Sequence, residues 1–357
     1  MFFSKNHLKN EQPINLLDLT RDQMKKFLVD INEKPFRANQ IMKWIYHNFC
    51  DDFEKMTNIS KSLRNKLKKF SEIKIPKIIK EEKSIDGTIK WLILISTQYI
   101  ETVYIPEKNR GTLCVSSQIG CPVKCSFCAT GQQKFYRNLL TSEIIGQIWL
   151  IKNIQNKKKI LPITNIVFMG MGEPLLNVNN VGQAILIILD DYCFGFSKRR
   201  VTISTTGIVP AFKKLKKIVD VALAISLHAS NDALRNKIVP INKKYNICNL
   251  LNAIKEYTKN SYANKKGITI EYVMLNNIND SEEDAHKLII LLKKIPSKIN
   301  LIPWNFIKGL PYKTSSYEKI FRFSEILMKN GFFTVIRKTK GSDINASCGQ
   351  LIGEKNS

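Results

Sequence analysis

The chain has 357 residues, 44% of them hydrophobic, which excludes a small disulfide-stapled domain and allows a core of ordinary size. Lys and Arg number 56 against 30 Asp and Glu, and the net charge of +26 points to a polyanionic partner such as a nucleic acid. No apolar run is long enough to span a bilayer. The start, Met1-Phe2-Phe3-Ser4-Lys5-Asn6-His7, has neither an apolar signal core nor a small-residue cleavage site, so the expected location is the cytoplasm.

Residues 20–70 read as short helices. Thr20-Arg21-Asp22-Gln23 is a capping box ahead of an apolar-periodic run. Pro35 opens a second helix carrying Ile41, Trp44 and Ile45. Asn58 or Ser60 opens a third with Lys61, Arg64, Lys66, Lys68 and Lys69 on it, a basic face that suits phosphate or plain solvent. From Pro76 the pattern changes. Residues 77–83 and 88–95 flank Asp86-Gly87, a strong hairpin signal, and 99–105 reads as another strand.

Beyond residue 110, β-branched runs at 112–116, 163–169, 200–204, 221–227, 268–275 and 298–303 alternate with helical stretches, among them 142–155, 181–189 and 282–294. Continuous apolar strands between helices predict an α/β fold with a parallel sheet buried on both faces, either open or a partial barrel. Ligands then gather at the C-terminal strand ends. A last strand at 332–338 leads into a tail of small and polar residues, and no internal repeat is present.

The eight cysteines are too few and too scattered for a disulfide framework in a chain of this size. Cys50, Cys193 and Cys248 sit in apolar or helical surroundings and read as buried hydrophobes. Cys121, Cys125 and Cys128 are spaced C-x3-C-x2-C in a loop rich in Pro, Lys and Ser. Three thiolates can hold three corners of an iron–sulfur cubane and leave one iron open. Zinc is the rival, but a structural zinc site takes four ligands and no second knuckle follows. Gly170-Met171-Gly172-Glu173-Pro174 lies at a strand end, where glycine admits a close ligand and Glu173 can accept from an ammonium. Ser204-Thr205-Thr206-Gly207, Ser226-Leu227-His228-Ala229 and Trp304-Asn305 end later strands and would face the same crevice. Cys348 lies among small polar residues, which favours an accessible thiol; for Cys114, on a strand, a core position is the default.

The cysteine loop, with Phe127 before its last cysteine, resembles the signature of the radical S-adenosylmethionine (SAM) superfamily, and Gly170–Pro174 looks like its GGEP motif with Met171 in place of one glycine. This resemblance implies a [4Fe-4S] cluster on Cys121, Cys125 and Cys128 that binds SAM through its methionyl end and breaks the sulfonium bond reductively. It assigns Gly172 and Glu173 to the methionyl amino group and makes Ser204, Ser226, Leu227, His228 and Asn305 further SAM contacts. In combination, Leu113–Cys121, Met169–Leu175, Ser226–Ala229 and Ala346-Ser347-Cys348-Gly349-Gln350-Leu351 resemble the RlmN family along nearly the whole chain, with Ser347 where the familiar tail has alanine.

The fold this implies is a radical SAM partial (β/α)6 barrel with an N-terminal helical accessory domain and a short β extension. The division would be 1–75 for an RNA-binding helical domain, 76–110 for the extension and 111–357 for the core with its catalytic cysteine tail. The implied activity is methylation of adenine C2 in 23S rRNA and, beside the anticodon, in tRNA, using two SAM per turnover and a one-electron reductant such as flavodoxin. Cys348 would carry the methyl group and Cys114 would resolve the protein–RNA link through a transient disulfide. Glu101 matches the family's proton acceptor. A monomer is the default expectation. The related adenine-C8 methyltransferases share both thiols and the cluster loop, and a non-catalytic zinc-knuckle RNA-binding protein is the rival from another class.

Overall fold

The computed structural model describes residues 12–158 and 161–354; the start of the chain, read above for a leader, lies outside them. The described residues form two compact units, each assembled from separated stretches of chain.

The first unit comprises residues up to 77 together with 139–162 and 179–197. Helix α1 (Arg21–Asp30) starts at the expected capping box, with the Thr20 N–H donating to Gln23 Oε1 at 2.9 Å. Helix α2 (Arg37–Tyr46) starts two residues past Pro35, inside the expected segment. Helix α3 (Lys61–Phe70) is capped by Ser60. Asn58, the other candidate cap, instead accepts from Trp44 Nε1–H at 2.6 Å. Three of the basic residues on α3 are already paired: Arg64 and Lys68 with Glu54, Lys66 with Glu33. Helices α4 (Thr141–Lys158) and α5 (Val178–Leu189) connect strands of the second unit, yet cluster with α1–α3. Most sides of α4 are buried, through Ile144, Ile145, Ile148, Trp149 and Ile151, so it has no solvent stripe to read from sequence.

The second unit is built on a ten-stranded sheet. Its strands are β1 (Lys77–Lys83), β2 (Ile89–Ile95), β3 (Gln98–Glu107), β4 (Arg110–Cys114), β5 (Ile163–Phe168), β6 (Val201–Thr205), β7 (Ala222–Ser226), β8 (Ile268–Met274), β9 (Ser297–Pro303) and β10 (Phe333–Ile336). Spatial order follows chain order from β1 to β10. From β4 to β10 all pairings are parallel, whereas β2–β3 and β3–β4 are antiparallel. The two edge strands are not joined, so β4–β9 form the six-stranded partial barrel expected, and the hairpin at Asp86-Gly87 extends the same sheet.

Every expected strand is present within a few residues. Four helices not singled out in the sequence complete the layer: α6 (Val209–Ile218), α7 (Asp232–Ile238), α8 (Ile247–Thr258) and α10 (Tyr317–Lys329), with α9 (Glu282–Leu292) between the last two. Cys50 and Cys193 are buried as expected. Cys248 is not: it is exposed, because α8 turns Leu250, Leu251 and Ile254 inward and leaves position 248 on the outer face. Among the described residues no helix is long and apolar enough to cross a membrane.

Candidate active site

A parallel sheet puts all its C-terminal strand ends on one side. Here they open on a cavity whose wall contains Cys121, Cys125, Cys128, Gly172, Glu173 and Cys348. The cysteine loop leaves β4 and folds back tightly. Lys124 takes a left-handed φ of 58°, and a side chain at Gly131 would meet the Cys125 carbonyl oxygen at 2.7 Å. Trp304 Nε1–H donates to the Phe127 carbonyl at 3.0 Å and pins the loop to the end of β9. Burial pushes the Cys121 thiol up to about 12 and raises Cys125 and Cys128 as well, and each thiolate would also repel its neighbours. Such thiols ionise only beside a strong cation, which is what iron supplies. Among the described residues no three His, Cys, Asp or Glu side chains are gathered to hold a single metal ion. Three thiols on one loop beside the cavity suit a polynuclear cluster that takes one thiolate per iron.

Gly172 has φ 97°, and a Cβ there would meet Gln118 at 2.5 Å, so this turn requires glycine. Met171 has no such limit. Its side chain is buried on the far side of the turn, where Sδ accepts from the Glu101 N–H at 3.4 Å, so the departure from the double-glycine motif leaves the cavity unchanged. Glu173 is 2% exposed. One oxygen accepts from Leu175 N–H and Thr205 Oγ1, the other from Thr206 N–H and Oγ1, at 2.7–3.0 Å. Burial raises its pKa and these donors oppose the rise. An incoming ammonium would share oxygens that already tie the ends of β5 and β6 together.

Ser204, Ser226, His228 and Asn305 reach the cavity as expected. The Ser204 and Ser226 hydroxyls lie 3.4 Å apart across β6 and β7. Leu227 does not reach it: the side chain is fully buried and the carbonyl accepts from Arg235 Nε–H at 2.9 Å. His228 Nδ1 accepts from the Val273 N–H at 3.0 Å, and burial, helped by Arg235, holds its pKa down to about 3. It is a neutral imidazole with its remaining N–H on Nε2.

Cys348 is exposed at the mouth, with its carbonyl held by Asn305 Nδ2–H at 3.0 Å. It also forms part of the wall of a second, adjoining cavity that contains Cys114. The atoms crowded around the Cys348 sulfur raise its pKa and Arg337 pulls it back. Cys114 is pushed up to about 12 by burial first and by the neighbouring Cys348 second. Arg337 borders both cavities, so one guanidinium serves both thiols. Glu101 borders neither; its carboxylate lies between Lys90 and the backbone of the tail.

Three residues of this region were not singled out in the sequence. Glu271 is the one acid in the otherwise apolar strand β8, and that contrast was its signal; it is 4% exposed, borders the cavity and faces Arg337. Arg235 is fully buried and braces the strand ends through the carbonyls of Thr206, Ser226 and Leu227. Its pattern on α7 is that of a surface residue, so nothing in the sequence announced it. Thr130 binds the tail by donating to the Leu351 carbonyl at 2.6 Å.

Residues 14–73 match the ribosomal RNA large subunit methyltransferase N-terminal domain, and residues 115–289 match the radical SAM superfamily. A crystal structure of a radical SAM methyltransferase from Sphaerobacter thermophilus is 37% identical, with a TM-score of 0.89 over 96% of this chain and 100% of that one. The chain belongs to the RlmN family. It is therefore a radical SAM methyltransferase by class. Two further structures are more remote and bear only on general likeness. One is a domain of pyruvate-formate lyase-activating enzyme from Bacteroides vulgatus, 17% identical over 49% of this chain and 99% of that one, TM-score 0.36. The other is TYW1 with a lysine–pyruvate adduct bound, 18% identical over 65% and 76%, TM-score 0.46. The RlmN-family site uses the superfamily's [4Fe-4S] cluster and SAM. Cys121, Cys125 and Cys128 suit the cluster, and the polar strand ends around a neutral His228 suit SAM.

Proposed function

We propose that this protein methylates C2 of an adenine in 23S rRNA and of the adenine beside the anticodon in tRNAs, with Cys348 as methyl carrier and Cys114 as resolving thiol. One observation carries the reading: Cys348 belongs to the walls of two adjoining cavities, one containing the cluster cysteines and the other Cys114. A methyl carrier must meet its donor on one side and the thiol that releases the product on the other.

When bound, SAM and the cluster supply an electrophilic methyl group and, through a second SAM and one electron from a reductant such as flavodoxin, an acceptor for a hydrogen atom. The chain does the rest. Cys348 sulfur attacks the methyl carbon, its S–C bond forming as the sulfonium C–S bond breaks, and Arg337 favours the thiolate needed for this. After a hydrogen atom is lost, the carbon on Cys348 joins C2 of adenine and tethers RNA to protein. The C2 proton then leaves, and the adduct's unpaired electron passes to the cluster, oxidised when it gave up its own electron; the family assigns acceptance of the proton to Glu101. Cys114 attacks the Cys348 sulfur, an S–S bond forms, and the electron pair of the broken C–S bond stays with the methyl carbon, which takes up a proton. Reduction of the disulfide readies the next turnover. The target base has to leave its stack to enter the cavity.

The test is anaerobic purification of Cys114→Ala. The expected outcome is RNA covalently bound through Cys348, with the attached base mapped by mass spectrometry to adenine C2. Attachment at C8 would reassign the substrate position, and a cluster-containing protein with no adduct under turnover conditions would remove the two-thiol mechanism.

A further inference from the structure

Glu101 is 3% exposed, and every partner of its carboxylate is part of an anchorage. One oxygen lies 3.0 Å from Lys90 Nζ, which is itself 8% exposed and also pairs with Glu82 at 3.3 Å. The other accepts from the Ile352 N–H at 2.7 Å and the Gly353 N–H at 3.0 Å. These two residues follow Cys348 by four and five positions. A buried carboxylate between an ammonium and two backbone N–H groups is a stable charge-assisted set, and losing either ion leaves the other buried with too few partners.

The tail is also held beyond Cys348 on its other side. The turn between β1 and β2 grips it through Ser84 Oγ–H to Asp343 at 2.6 Å and the Gly341 N–H to Asp86 at 3.0 Å. Between the two grips the tail crosses the cluster loop, where the Ala129 N–H donates to the Gly349 carbonyl at 2.7 Å. Cys348 thus sits on a span fixed at both ends. Within the span, Asn305 Nδ2–H holds the Cys348 carbonyl itself; of the two end grips, the one that Glu101 makes is the nearer in sequence.

We propose that Glu101, with Lys90 behind it, is a positioning residue that fixes the C-terminal end of the Cys348 tail. This deepens the reading of Cys348 as methyl carrier and changes the part Glu101 plays in it: the carboxylate sets where the carrier sulfur stands, and the C2 proton goes elsewhere. The anchor itself stands independently of that reading.

The experiment uses the full chain with Glu101→Gln and, separately, Lys90→Met. Glutamine keeps an acceptor but turns a neutral amide towards Lys90, whereas methionine leaves the carboxylate in place without its cation. Hydrogen exchange of the Ile352 and Gly353 amides is read by mass spectrometry on the tail peptide, with the β7 peptide reporting that the sheet is intact. Both variants are expected to exchange these two amides at least about tenfold faster than the parent while β7 stays protected. Unchanged exchange in both overturns the anchor. In the second arm, with SAM, reductant and RNA, both variants are expected to lose methylation of Cys348. Normal methylation of Cys348 with a trapped RNA adduct in Glu101→Gln would make Glu101 the proton acceptor and overturn the proposal. If the parent protein itself carries no methyl on Cys348, the carrier reading falls, and the exchange measurement still decides the anchor.

Discussion

His228 shows how much of a site residue's part is set by its surroundings. In sequence it follows a strand in Ser226-Leu227-His228-Ala229, where a structural or a ligand-facing histidine would look the same. In the fold it takes φ 61°, gives Nδ1 to the Val273 N–H and keeps one N–H at the cavity. Burial depresses its pKa to about 3, below the ~6.5 of an unfolded histidine. The unfolded chain therefore binds this proton first as pH falls. Stability owed to the neutral ring is complete above about pH 6.5 and is lost as pH falls towards about 3. Between about pH 7.5 and 5.5 the loss should be about 1.4 kcal/mol. Urea unfolding at the two pH values should show it, and His228→Gln should flatten the difference. An equal pH dependence in parent and variant would mean that His228 is not the group responsible.

Helix α4 teaches a different lesson at the level of elements. Its existence was legible because 142–155 is long and apolar, but its partner was not. The indole N–H of Trp149, which is 4% exposed, donates to the Ile45 carbonyl at 2.7 Å, and the Ser142 N–H donates to Asp18 at 2.6 Å. Trp149→Ala should therefore destabilise the first unit by about 3–5 kcal/mol, measured as the shift in its urea transition. The strands were the best-read elements, because a buried parallel strand is a short β-branched run between turn residues. Helices α6, α8 and α10 were passed over although their buried residues keep helical spacing, as Ile247, Leu250, Leu251 and Ile254 do in α8. The hairpin at Asp86-Gly87 was legible as a turn. Its second part, gripping the tail at Gly341 and Asp343, was not, because those partners lie more than 250 positions away in the chain.

For the whole molecule the question is what the charge of +26 does. If the substrate is RNA, lysines near phosphate release counterions, and affinity for tRNA should fall at least about tenfold between ~50 and ~200 mM salt. Filter binding across that range measures it. A flat response would mean that the lysines mostly coat solvated helix faces, as Arg64, Lys66 and Lys68 do in their pairs with Glu54 and Glu33.

By itself the sequence determined the alternation of strands and helices, the C-x3-C-x2-C loop at Cys121, Cys125 and Cys128, the turn at Gly172 and the exposure of Cys348 among small residues. These are local facts: spacing, periodicity and the chemistry of near neighbours carry them. Tertiary structure alone decided that Cys114 and Cys348 border one cavity, that Arg337 serves both, that Arg235 braces the strand ends and that Leu227 stays out of the site. It also turned Glu101 from one acid on a strand into the end of a buried bridge to the tail. The physical reason is range. Hydrogen bonds and ion pairs act over a few ångströms, and which residues come that close is settled by how the sheet twists and the chain returns across it.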